Sequence, residues 1–198
     1  MKKFAMILTG LVTLMNLWAM VPANAGESCS IEGTDFLGYA LRINEPPVNS
    51  DNGTNNVPDF TLENISSESG GMEIKKFTLT IGDTNYNYDF VRSQTAIEDS
   101  GSTLEFTPNS PDLVNDDDKM IETVDYDFSG FDPGDIFRFE ADVDPDVGPS
   151  PPTLDYRKIL FPNAVVTVEF SNGATLSQTL APVDTGKATY QFVQIGGN

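Results

Sequence analysis

The chain contains no histidine, one cysteine at position 29 and one tryptophan at position 18. Without histidine, neither a Ser-His-Asp nor a Cys-His catalytic arrangement can be assembled. The usual zinc ligand sets, built from histidine and cysteine, go with them. A lone cysteine rules out an intramolecular disulfide, so the fold must rest on its core even in an oxidising compartment. Cys29 reads as an inert thiol near the amino terminus, and the sharper alternative is a disulfide-linked dimer, visible on a non-reducing gel. The preceding Gly26-Glu27-Ser28 lacks the leucine and small residues of a bacterial lipobox, which argues against lipidation.

Basic residues are also scarce. Eleven Lys and Arg stand against thirty Asp and Glu, for a formal charge of −19 over 198 residues. Such an excess opposes phosphate backbones and anionic membrane surfaces, which are bound through basic patches, so no nucleic-acid partner is expected. Long apolar runs are limited to one, Phe4 through Val21, preceded by Lys2 and Lys3 and followed by Ala23-Asn24-Ala25. That is the pattern of a secretory signal peptide over residues 1–25 with an A-x-A cleavage site, and the short dibasic start reads as bacterial. An uncleaved anchor competes with this reading, but the small-residue site and the switch to polar sequence at Gly26 favour cleavage. Cleavage would remove two lysines and leave nine basic against thirty acidic residues, a charge of −21. The mature product is expected to be soluble, secreted to the periplasm or the exterior, with no membrane insertion after signal cleavage.

What remains, residues 26–198, is long enough for a single domain with a sizeable core. Short segments alternate apolar and polar residues with turn signals between them, and long helical periodicity is absent. Asp35 to Ile43 reads as a strand, followed by a polar loop from Asn44 to Pro58, and Phe60 and Leu62 mark a short strand. Phe77, Leu79 and Ile81, then Gly82-Asp83-Thr84-Asn85, then Tyr86, Tyr88 and Phe90 give the strongest hairpin pattern in the chain. Leu104 and Phe106 mark a further strand closed by Pro108-Asn109-Ser110-Pro111. Val166, Val168 and Phe170 lead through Ser171-Asn172-Gly173 into residues 175–180, where the Asn-Gly pair suits a two-residue hairpin. A last strand is expected over residues 188–195. These features predict an all-β fold, a single antiparallel β-sandwich or jelly roll of roughly nine strands.

The densest stretch is residues 124–147, VDYDFSGFDPGDIFRFEADVDPDV, where acidic residues are interleaved with aromatic ones. Tyr126 and Phe128, then Phe137, Phe139, Ala141 and Val143, alternate with polar neighbours as in half-buried strands, and the PGD turn between them suits a sandwich hairpin. Asp142, Asp144 and Asp146 have the i, i+2, i+4 spacing that opens an EF-hand loop, but Val147 occupies the place of the glycine and Thr153 that of the final glutamate. Calcium, which takes six to eight oxygen ligands, is therefore expected only at a loop-type site, with Asp132, Asp135 or the run Asn115-Asp116-Asp117-Asp118 joining in. In a regular strand Asp142 and Asp144 share one face and repel unless a cation intervenes. The plain alternative is a solvated acidic edge.

Other chemistry is weaker. Aromatic platforms for sugars would have to use Tyr39, Tyr86, Tyr88, Tyr126, Tyr156 or Tyr190, and tyrosines on alternating strands more often pack in cores. A glycosidase needs only two acids, but no acid stands in an obviously apolar setting. Asn52-Gly53-Thr54 and Asn64-Ile65-Ser66 match the glycosylation acceptor pattern, which is frequent by chance.

The stretch VDYDFSGFDPGDIFRFEADVD and the hairpin AVVTVEFSNGATLSQTL together resemble a loosely defined group of exported bacterial β-sandwich proteins. That group shows an F-D-P-G-D-x-F-x-F-x-x-D-x-D stretch, a V-T-V-x-F-S-[ND]-G-x-x-L hairpin and, in many members, a C-terminal sorting tail that is lacking here. The resemblance implies an extracytoplasmic sandwich without an established catalytic activity, and it defines no functional residues. The expectation is an exported, acidic, non-enzymatic β-sandwich with a matrix, surface or adhesion role, stabilised by calcium, whose partners are extracellular polysaccharide or other surface proteins. A glycan-binding module is the alternative, and a carboxylate-dependent glycoside hydrolase ranks third.

Overall fold

A computed structural model of the protein describes residues 35–44, 57–67, 71–99, 101–109, 121–148, 159–161, 163–180 and 189–197. The expected signal peptide, Cys29, the acceptor pattern at Asn52, the acidic run 115–118 and Tyr156 lie outside the described residues.

Among the described residues ten strands are formed: β1 (Phe36–Asn44), β2 (Asp59–Asn64), β3 (Ile74–Thr80), β4 (Tyr86–Ile97), β5 (Glu105–Pro108), β6 (Thr123–Phe131), β7 (Ile136–Pro145), β8 (Val165–Phe170), β9 (Thr175–Thr179) and β10 (Thr189–Gly197). They make two five-stranded sheets, ordered β10-β1-β2-β7-β4 and β5-β6-β3-β8-β9. Every pairing is antiparallel. The sheets face one another as a β-sandwich, the fold class expected from the alternation. Its cause is direct: Leu37, Tyr39, Leu41 and Ile43 of β1, Phe77 and Leu79 of β3, Phe137, Phe139, Ala141 and Val143 of β7, and Val166, Val168 and Phe170 of β8 are all buried. Removing a side chain of this size from water stabilises the fold by about 1.5–3 kcal/mol.

Aromatic rings lock the two layers together. Phe139 stacks on Phe60 of its own sheet at 4.8 Å and meets Phe77 of the other edge-on at 5.9 Å. Phe137 reaches Phe106 and Tyr126 across the interface, each at 4.8 Å. The sandwich is also tied along its sides: Tyr88 N–H donates to Ile121 O at 2.8 Å on one side, and Gln194 Nε2 donates to Ser177 O at 3.1 Å on the other.

Two expected hairpins are corrected by this topology. β3 pairs with β6 and β8, whereas β4 pairs with β7. The turn at residues 82–85, closed by Tyr86 N–H to Asp83 O at 3.0 Å, therefore carries the chain from one sheet to the other. The same holds for β6 and β7, which lie in opposite sheets. In both cases the buried residues of the two strands face each other across the core. Strands in one hairpin would instead bury the same side of a single sheet. The β8–β9 hairpin is present, but its loop is Ser171-Asn172-Gly173, with Glu169 opposite Thr175 and only Gly173 at positive φ (82°). Phe170 N–H donates to Ala174 O and Gly173 N–H to Phe170 O, each at 2.9 Å, a three-residue hairpin with the glycine in the left-handed position.

Candidate functional site

The candidate acids fall at the two ends of β7. Asp132 and Asp135 lie at its start, in the turn Asp132-Pro133-Gly134-Asp135. Pro133 supplies the fixed φ of the second turn position, Gly134 has φ 93°, and Asp135 N–H donates to Asp132 O at 3.1 Å, a type II turn. Asp135 is fully buried, and its carboxylate accepts from Asp99 N–H at 2.8 Å and from Asp132 N–H at 3.0 Å. It ties the turn to the residues that follow β4. That work explains the FDPGD motif as structure.

The neighbouring hub is Asn64, at the end of β2 and also fully buried. Its amide donates to Phe131 O at 2.8 Å and to Met72 O at 2.9 Å, and its Oδ1 accepts from Ser66 N–H at 3.1 Å. Its backbone exchanges bonds with the turn, Asn64 N–H to Asp135 O at 3.1 Å and Gly134 N–H to Asn64 O at 2.8 Å. The acceptor pattern at Asn64 thus falls on a side chain whose amide is spent inside the fold. Nothing in its sequence neighbourhood distinguishes it from a surface asparagine. The only available signal is a polar residue closing an apolar strand.

At the other end of β7, Asp142 and Asp144 lie on the outward face, as expected from their spacing, while Ala141 and Val143 point into the core. β2 pairs with β7 as far as Asp59 opposite Glu140, with Ala141 N–H donating to Pro58 O at 3.2 Å just beyond, and β4 flanks the other side of this end. Asn87 stands opposite Asp144, and the register of β4 shifts between Tyr88 and Val91, leaving Asp89 and Phe90 as a bulge opposite Asp142. Asp146 is engaged already, its Oδ1 accepting from Asn87 Nδ2 at 3.0 Å and its N–H donating to Asn85 O at 2.9 Å.

Asp142 differs from the rest. Its Oδ1 is buried and has no hydrogen-bond partner. Burial and then the neighbouring charge of Asp144 push its carboxyl up to about 6, against the opposing pull of Arg92 and of the Val143 N–H. Arg92 is itself drawn to Glu140, its Nε donating to Oε2 at 3.1 Å, and Ser93 Oγ donates to the same oxygen at 2.9 Å. Its spacing in the sequence does not set Asp142 apart from Asp144 and Asp146; the β4 bulge opposite it is a feature of the pairing, which residue order does not display.

The five acids do not form one site. Strand β7 separates Asp135 from Asp142 by about 23 Å, at about 3.3 Å per residue. Among the described residues, no group of three or more His, Cys, Asp or Glu is gathered so as to hold a metal ion. The tyrosines resolve in part: Tyr39, Tyr88 and Tyr126 are buried in the core, where burial pushes each phenol up. They offer no platform to a sugar. Among the described residues no helix is long and apolar enough to cross a membrane. No family model, curated protein or solved structure matches this chain.

Proposed function

We propose that this chain is an exported, non-enzymatic β-sandwich protein with a structural role at a surface or in an extracellular matrix, and that calcium acts on it at the Asp142–Asp146 end of β7. The observation that carries the calcium part is the buried, unpartnered Oδ1 of Asp142 with Asp144 on the same face. Two neighbouring carboxylates, one partly desolvated, cost the folded state free energy that a divalent cation offsets, with backbone carbonyls and water completing its shell. The export part rests on the apolar leader and A-x-A site at residues 1–25 and on the resemblance carried by residues 124–144 and 164–180.

Two measurements test this reading. Thermal melting in millimolar calcium and in chelator should give a higher midpoint with calcium, lost in Asp142→Asn; identical midpoints remove the metal. Fractionation of cells expressing the full chain should recover a shortened product outside the cytoplasm, and a full-length cytoplasmic product removes export.

The same pair favours a second reading. Positions i and i+2 of a strand lie about 6.6 Å apart, within the range of about 5–9.5 Å between the two carboxyls of glycosidases, and a carboxyl raised by burial is what their general acid requires. Polysaccharide hydrolysis near pH 5–6 that disappears in Asp142→Asn would replace the non-enzymatic reading with this one.

A further inference from the structure

The four edge strands among the described residues are not alike. β4 is interrupted by two register shifts, the second beside Ser93, whose φ is 53°. β5 is four residues long and ends on Pro108, which has no N–H to offer. β9 is five residues long. Bulges, proline and shortness are the devices by which natural sheets blunt their edges against pairing with another chain. β10 carries none of them: it runs nine residues in unbroken register against β1, from Phe36 opposite Gly197 to Asn44 opposite Thr189. Among the described residues, no strand pairs with its other edge.

The side chains agree with the backbone. Phe192 points inward against Phe161, and Gln194 is held inward by Tyr39 Oη and Ser177 O. Val193 and Ile195 point outward and are 48 % and 46 % exposed. TYQFVQIGG contains no charged residue, in a chain with thirty acids and eleven bases. A basic partner would be drawn to the acidic faces and would gain nothing here. What this edge offers is a row of main-chain donors and acceptors with two apolar side chains, and a second copy supplies the matching set without bringing charge to the contact.

We propose that β10 pairs antiparallel with β10 of a second copy of this chain, joining the two β10-β1-β2-β7-β4 sheets into one continuous ten-stranded sheet across a two-fold axis. Centred on Val193, the pairing sets Val193 against its own copy and Ile195 against Gln191. An isologous contact repeats every substitution on both sides of the axis, so one lysine introduces two like charges at close range. This inference is independent of export and of calcium.

The test uses the mature chain carrying Cys29→Ser, so that no disulfide can imitate the contact. Sedimentation equilibrium should give a concentration-dependent dimer, tighter at high salt because the two copies repel through their net charge. Val193→Lys and Ile195→Lys, each on an outward side chain that the fold does not need, should each weaken the dimer about tenfold or more. Ile97→Lys, at a comparably exposed position on β4, should leave it unchanged. Amides of β10 should gain protection from hydrogen exchange as protein concentration rises. A Cys29→Ser chain with β10 unaltered that stays monomeric at high concentration and high salt overturns the proposal, as does a dimer that survives both β10 substitutions.

Discussion

Asn64 and Asp135 are both fully buried and spend their side chains on main-chain groups, which makes them costlier to lose than their polarity suggests. Asn64→Ala strands the carbonyls of Phe131 and Met72 and the N–H of Ser66, and urea unfolding should show a loss of about 3 kcal/mol, the sum of partial desolvation penalties. Gly134→Ala is a backbone matter instead: an added Cβ would meet Asp99 only at ordinary contact distance, 3.5 Å, but φ is +93°. Its expected cost of about 1–2 kcal/mol is that of a left-handed conformation. Asp142 acts through pH. Its folded carboxyl titrates at about 6 against 3.8 for the free group, so the folded state holds the extra proton between those values. The stabilisation from that proton is complete below about pH 4 and is lost as pH rises through 6, with a magnitude reduced by solvent screening of a half-exposed group. Melting curves in chelator should therefore show Asp142→Asn gaining stability at pH 7.5 and flattening the slope between pH 4 and 6.

The strands are the scale at which sequence and structure agree best. Period-two alternation locates β3, β7 and β8 because each buries one face, and the predicted inward residues Phe77, Phe139 and Val168 are all fully buried. Phe139 sits between Phe60 and Phe77, so Phe139→Ala should cost about 3–5 kcal/mol in chemical denaturation, where a surface phenylalanine would cost little. Pairing was not legible. The turns at residues 82–85 and 132–135 encode a reversal, and a reversal serves equally to return beside a strand or to cross to the facing sheet. Tyr88 and Phe137 would be inward in either arrangement; the choice is made by distant partners, such as β7 lying between β2 and β4. Asp135 shows the same limit for the site. Its place among closely spaced acids suggested a cation ligand, whereas its position under the turn gives it two N–H groups to accept from. Asp142 reverses the case, since the bulged residues opposite it, Asp89 and Phe90, come from a strand about fifty residues away in sequence.

Over the whole molecule, charge of one sign is the dominant property. The chain carries a net charge of −19, an excess of one sign that opposes compactness, and raising sodium chloride from about 0.02 to about 0.5 M should raise the melting temperature of the calcium-free protein by a few degrees as that repulsion is screened. A midpoint indifferent to salt would mean that the charges are already compensated locally. Connectivity adds a mechanical property. The first and last described strands are neighbours, and the start of β1 at Phe36 lies opposite the end of β10 at Gly197. Tension applied at those two points would load the ladder one bond pair at a time, as a zipper, and would not shear all of its bonds together. A protein anchored through both ends would yield at this seam first and under low force, shedding β10 while the aromatic layers between the sheets stayed shut.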